Sequence, residues 1–141
     1  MSKHIAIATS RVKRDPPCTG NRIDITIMTG LGLGEILAPT WSLVHGVKLR
    51  QKIEAGEKID PRWKHYHPLT DEQYTEQYLA MLRQRYAQDP DDFNWLLGRE
   101  ELVLCCYCPP GEFCHRILAA NVMEKIARQQ GYEVTMLGEI P

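Results

Sequence analysis

Apolar residues alternate with small or polar ones at two places early in the chain, and each run predicts a strand. His4 to Thr9 sets Ile5 and Ile7 against small alanines, the period of two that sends successive side chains to opposite faces. Arg22 to Met28 alternates strictly, with Ile23, Ile25 and Ile27 on one side and Asp24 and Thr26 on the other. This is the pattern of a strand with one wetter face, near the edge of its sheet. Glu101 to Tyr107 predicts a third strand and Tyr132 to Leu137 a closing one.

The helices are marked mainly by their ends. Thr40 can cap a helix over Trp41 to Ala55 that stops at Gly56, with Gly46 weakening its middle. Thr70-Asp71-Glu72-Gln73 is a capping box. Tyr74, Tyr78, Met81, Leu82 and Tyr86 follow at helical spacing, and Asp89-Pro90 ends the run. Because that tyrosine stripe shares its face with Met81 and Leu82, it reads as core and not as a base-stacking platform. A short helix is expected over Asp92 to Leu97. A long one is expected from Phe113 to Gln130, with Ile117, Leu118, Val122 and Ile126 inward and Gly131 as its stop. Between these elements, Ser10 to Asn21, Gly30 to Gly34 and Glu57 to Pro68 read as loops. The glycine run lacks the spacing of a dinucleotide fingerprint, and His65 and His67 read as surface histidines.

Strands separated by helices in this order predict one domain over residues 1–141. Its expected class is α/β: three layers, a mainly parallel sheet of about four core strands, and helices on both faces. The third strand, last helix and closing strand form a βαβ unit with an expected right-handed crossover. The link between the first two strands is short for a parallel crossover, so their relative direction stays open.

With 17 Lys and Arg against 18 Asp and Glu, the net charge is −1. That excludes a global electrostatic attraction to nucleic acid or to a membrane surface. Arg11, Lys13 and Arg14 form a local basic patch that reads as a solvated loop. The apolar run Ile5 to Ala8 is too short for a signal-peptide core, and no stretch has transmembrane length. A cytoplasmic setting is expected, where thiols stay reduced. An odd, clustered set of five cysteines argues against structural disulfides.

The candidate chemistry is concentrated in Leu104 to Arg116, L-C-C-Y-C-P-P-G-E-F-C-H-R. An apolar strand breaks at Pro-Pro-Gly and enters a helix, and strand-to-helix junctions of this kind gather ligands in α/β proteins. Three chemistries compete. Free N–H groups at the helix start, with Arg116 and His115, would attract a phosphate or carboxylate. The Cys-x5-Arg spacing of phosphatase loops is not met. A thiol beside those groups would have its thiolate favoured; alternation puts Cys106 and Cys108 on one face and Cys105, expected buried, on the other. Zinc is the third, from Cys106, Cys108, Cys114 and His115. The usual C-x2-C knuckle is missing, and adjacent Cys114 and His115 are expected to have difficulty reaching one ion. No metal or other cofactor is therefore assigned. Glu112 reads as a solvated carboxylate.

At this segment the chain resembles the domain-of-unknown-function family 488, small and mostly prokaryotic and phage-associated proteins. Cys106, Tyr107, Cys114, His115 and Arg116 match its Cys-Tyr and Phe-Cys-His-Arg block. Ile7 to Ser10 (I-A-T-S), Leu37 to Trp41 (L-A-P-T-W) and Tyr74 to Leu79 (Y-T-E-Q-Y-L) match in order elsewhere. Cys108 departs from the family's usual glutamate, and Thr29 from an arginine at the end of the second strand. If that arginine holds an anion, Arg11 or Arg14 would complete the site here. The Val47 to Pro68 region is longer than usual. The resemblance implies an α/β fold and one shared site; it implies no reaction.

The expected site gathers Thr9, Ser10, Thr29, Cys114 and Arg116 around a ligand, with Cys106 and His115 as the chemical groups. The leading expectation is a pocket for a small anionic ligand, a nucleotide or nucleic-acid end among them. One alternative is a non-enzymatic phage or bacterial accessory module binding protein or nucleic acid through Trp41, Trp63 and the tyrosines. Another is a zinc-stabilised structural domain. Sequence leaves the oligomeric state open.

Overall fold

The computed structural model describes residues 3–11, 21–26, 32–107 and 114–141. Ten elements follow in chain order: β1 (Lys3–Arg11), β2 (Arg22–Asp24), a 3-10 helix (Gly32–Leu37), α1 (Trp41–Glu54), a 3-10 turn (Pro61–Trp63), α2 (Asp71–Gln88), α3 (Pro90–Leu97), β3 (Glu101–Cys106), α4 (His115–Gln129) and β4 (Tyr132–Glu139). The strands lie in the order β2-β3-β1-β4 and every pairing is parallel. This is the α/β domain that the patterning predicts; the sheet, expected to be mainly parallel, is parallel throughout the four described strands. Strands β1 and β2 run in the same direction without pairing, because β3 lies between them.

The main core lies between one sheet face and the helices. Ile5 and Ile7 of β1, Ile23 of β2, Ile25 just beyond it, and Leu102 and Leu104 of β3 are buried against Tyr78, Leu82, Phe93, Leu96 and Met123. Each such aliphatic side chain contributes roughly 1.5–3 kcal/mol by leaving water. Alternation sends Ala8, Val103 and Cys105 to the other face, where they form a small cluster with Ile140. Tyr78 is fully buried and its hydroxyl donates to the Leu37 carbonyl at 2.6 Å; the tyrosine stripe is core.

Caps fix the helix boundaries. Thr70 and Gln73 exchange both bonds of the capping box, and Thr40 Oγ1 accepts from Leu43 N–H. Gly56 and Gly131 take φ of 73° and 85°, the left-handed turn that glycine permits at low cost. Gly46 has a packing reason for its place inside α1: a Cβ there would lie 2.7 Å from the Leu69 side chain. Strand β2 is shorter than expected. The Asp24 carboxylate accepts from Thr26 N–H at 2.9 Å and from its hydroxyl at 2.7 Å, and this turn ends the strand. Ile27 and Met28 lie outside the described residues.

Strand β4 extends past the predicted Leu137 to Glu139, through a register shift. Ile7 pairs with Met136, but Ala8 pairs with Gly138 and Thr9 with Glu139. Gly138 has φ 72°, which lets the backbone turn through the bulge and re-aim the residue after it. Among the described residues, no helix is long and apolar enough to cross a membrane.

Candidate functional site

Parallel strands bring four carboxyl ends to one edge of the sheet, where α/β folds build pockets. At that edge, Thr9 lies two residues before the end of β1, Cys106 ends β3, and Glu139 ends β4. Cys114 and His115 open α4, and Arg116 follows one residue later. Cys114 is extended at the N-cap (φ −153°, ψ 146°) and makes no side-chain cap bond. His115 is already helical, so the change of backbone conformation turns two adjacent side chains toward one point.

The sulfurs of Cys106 and Cys114 are in bonding contact, with their Cα atoms 7.8 Å apart. The expectation that this clustered set of cysteines forms no disulfide is corrected to that extent. The pairing is long-range in structure, between a strand end and a helix start, although only eight residues separate the two in sequence. Cys105 is buried on the opposite face, as alternation requires.

His115 is buried, and its Nε2 lies 2.8 Å from the Ile25 carbonyl. A carbonyl can only accept, so Nε2 carries the proton and the Nδ1 lone pair faces Cys114 Sγ at 3.7 Å. Burial, chiefly, holds the imidazole pKa down to about 4; the bond to Ile25 and the charge of Asp24 oppose that, and Arg116 reinforces it. His115 is neutral at pH 7, so it is not the second cation expected from sequence.

Arg116 is 1% exposed, and among the described residues its guanidinium bonds Cys106 and Glu139. Nη1 donates to Cys106 Sγ at 2.8 Å. Nε and Nη2 donate to the two carboxylate oxygens of Glu139 at 3.0 and 3.1 Å, a bidentate pair. Thr9 Oγ1 donates to the same carboxylate at 2.6 Å.

A cavity of about 270 Å³ opens beside this cluster, between β4 and α4. Thr9, Arg116, Ile117, Asn121, Met136 and Glu139 are among its lining residues. The two thiols and the imidazole are not; the guanidinium stands between them and the cavity. One expectation about this edge changes as a result: the reactive groups form two adjoining compartments with Arg116 as the shared wall.

The structure brings together Thr9, Cys106, Cys114, His115 and Arg116, but not Ser10. The alternation of β1 sends Ser10 to the opposite face, where its hydroxyl donates to the Ile140 carbonyl at 2.9 Å and accepts from Arg22 at 3.0 Å. Arg11, offered as a replacement cation, donates instead to the Tyr107 carbonyl at 3.1 Å. Thr29, Arg14, Cys108 and Glu112 lie outside the described residues.

Two members of the site were missed from sequence. Glu139 depends on the bulge, and Leu-Gly-Glu at a strand end was its only trace. The Ile25 carbonyl leaves no side-chain signal at all. The three ligand atoms of Cys106, Cys114 and His115 lie within 4.8 Å of one another, so the difficulty expected for adjacent Cys114 and His115 in reaching one ion is not one of distance.

Aromatic residues gather elsewhere. His45 of α1 is ringed by Trp41, Trp63 and Tyr66 with centroids 4.5 to 5.1 Å away, and Lys52 lies over Trp63. Comparison of the chain with family models, with curated proteins and with solved structures finds no match.

Proposed function

We propose that the carboxyl edge is the working site of an enzyme-like domain acting on a small anionic ligand, such as a nucleotide phosphate or a nucleic-acid end, in the cytoplasm. The observation that carries this reading is the placement of one guanidinium. Arg116 borders the cavity, offers two parallel N–H donors to a carboxylate, and holds Cys106 with a third. Glu139 acts as an internal anion on those donors. Its side chain is 31% exposed and can swing toward solvent, whereas Arg116 is fixed by burial. A ligand phosphate or carboxylate that displaces Glu139 gains the same bidentate pair, and Thr9 supplies a further hydroxyl donor.

The cavity volume limits the choice of ligand. About 270 Å³ falls just below the roughly 300 Å³ where drug-sized ligand pockets begin. It therefore suits a phosphate-bearing fragment or the terminal phosphate of something larger. Cys106, once reduced and held by the Arg116 donor, and neutral His115, with an Nδ1 lone pair able to accept a proton, supply the chemistry. The Cys-Tyr and Phe-Cys-His-Arg block that resembles family 488 supports the same choice of residues.

The test uses Glu139→Gln, which removes the internal competitor and keeps the shape. Inorganic phosphate and nucleoside monophosphates are titrated into wild type and variant, followed by NMR shifts and by melting temperature. Affinity should rise about tenfold in the variant, a change of ~1.4 kcal/mol. An unchanged or weaker affinity, with no shifts at residues around the cavity, would overturn the reading.

A further inference from the structure

The compartment behind Arg116 has a composition that anion binding does not require: two cysteine sulfurs and an imidazole, all buried, converging on one point. We propose that Cys106, Cys114 and His115 form a three-donor site for a thiophilic divalent metal ion, zinc by preference. This deepens the reading above, and rests on it, by naming what its buried Cys106 and His115 hold together with Cys114.

Four observations support it. The donor atoms already lie within 4.8 Å of one another, and all three residues are buried. Two sulfurs on a tetrahedral zinc at ~2.3 Å each stand roughly 3.8 Å apart, and an imidazole nitrogen fits at ~2.0–2.1 Å. The Cα atoms of Cys106 and Cys114 are 7.8 Å apart, wider than the about 4.4–6.8 Å that relaxed disulfides span. Opening the sulfurs around an ion therefore moves toward what the backbone already provides.

The third observation concerns the outer groups. A metal-bound histidine usually donates its other ring N–H to a carbonyl or carboxylate, which fixes the tautomer and aims the lone pair. His115 has that arrangement, with Nε2 on the Ile25 carbonyl at 2.8 Å and Nδ1 turned toward Cys114. The fourth is on the sulfur side. Arg116 donates to Cys106 Sγ at 2.8 Å and is itself held by Glu139. A cationic donor on a ligating sulfur offsets part of the charge of two thiolates on one dication.

Soft thiolates with one imidazole select zinc over magnesium or calcium, which take oxygen donors. Three protein donors are also the number that catalytic zinc sites use, since the remaining position takes water or substrate. A dithiol reductant first opens the Cys106–Cys114 bond, giving two thiols and leaving the reductant as its own disulfide. Binding then releases the two thiol protons and forms two metal–sulfur bonds with no further change of oxidation state. The bound ion would be a Lewis acid beside the anion cavity.

The test is elemental analysis of the full chain, purified with reductant and without chelator, followed by cobalt titration of the stripped protein. About one zinc per chain is expected, and cobalt should give a thiolate charge-transfer band with the visible bands of a tetrahedral ion. Cys114→Ser and His115→Gln should each lower zinc affinity by more than the roughly 10–100-fold typical of an outer-shell loss. Arg116→Lys removes no donor and should fall within that range, so it serves where the other variants fold poorly. Cys105→Ala, off the site, should leave the cobalt spectrum unchanged.

Two results would overturn the proposal. One is a chain with both thiols titratable and no metal. The other is a chain two hydrogens lighter, with Cys106 and Cys114 covalently joined under reductant. Neither result touches the Glu139→Gln phosphate titration, and failure of that titration leaves the metal analysis standing.

Discussion

The sheet edge and the aromatic cluster on α1 both collect rings and histidines, yet they are built on opposite terms. At the edge, His115, Arg116, Thr9 and Glu139 are buried or half-buried, and each has a named hydrogen-bond partner. In the aromatic cluster, His45 Nδ1 is buried with no hydrogen-bond partner among the described residues, and Trp41 is 44% exposed. Residues 41–67 hold six Lys and Arg against three Asp and Glu, in a chain that has 17 against 18. Satisfying every polar group in a dry setting fixes geometry and shifts protonation, which chemistry needs. A half-exposed cluster with an orphaned nitrogen fixes neither. Equal richness in rings and histidines therefore does not mean equal claims to a reaction.

The largest test of that contrast is removal of the shared wall. Arg116→Met leaves the Glu139 carboxylate and Cys106 without their cationic partner at a site excluded from water. Breaking a buried pair by removing one partner typically costs about 3–5 kcal/mol. Glu139 can still reach solvent, which places the expected loss near the lower end. Urea denaturation measures it. A loss below ~1 kcal/mol would make this an ordinary surface pair and remove the distinction between the two regions.

A second test is the pH dependence of the metal-free protein. In the folded chain His115 titrates near 4 and in the unfolded chain near 6.5. The unfolded state therefore binds the proton first as pH falls, and stability is lost with acid. The contribution is whole above pH 6.5, declines below it, and is gone near pH 4. A shift of that size corresponds to roughly 3 kcal/mol. Arg116, Asp24, Cys114 and Tyr78 face the imidazole. Melting temperature followed from pH 7 to 4.5 should fall in wild type and much less in His115→Gln. Parallel curves would mean that the imidazole is hydrated and the compartment is not dry.

The difference between the regions also explains what sequence could reveal. Local chemistry was legible: Thr70 and Gln73 mark one helix start, Gly56 and Gly131 mark two helix ends, and alternation separates Cys105 from Cys106. The block from Cys106 to Arg116 located the edge, because its residues are close in sequence as well as in space. Glu139 was not legible, because it meets Thr9 across 130 residues through a bulge whose register depends on strand pairing. Ser10 was misplaced for a related reason. Strand-end residues were grouped by position along β1, but alternation, which governs faces, separates Ser10 from Thr9. The convergence of Cys114 with His115 depends on one dihedral change at a helix start, which composition does not encode.

The smallest predicted effect belongs to the aromatic cluster and tests the other side of the contrast. Trp41 packs on His45 at 5.1 Å with nearly half its surface in water. Trp41→Ala should cost only about 1 kcal/mol, close to what surface changes cost away from special features. It should also leave the cobalt spectrum and the phosphate titration unchanged, since α1 contributes no residue to either compartment. The accessory-module reading requires more of this residue: large aromatics at a binding surface carry 2 kcal/mol or more each, about thirtyfold in affinity. Pull-down of a partner that is lost with Trp41→Ala while edge chemistry stays intact would assign binding to the cluster and chemistry to the edge. A loss of stability above ~3 kcal/mol would instead make the cluster part of the core, and its exposed ring faces would no longer argue for a partner.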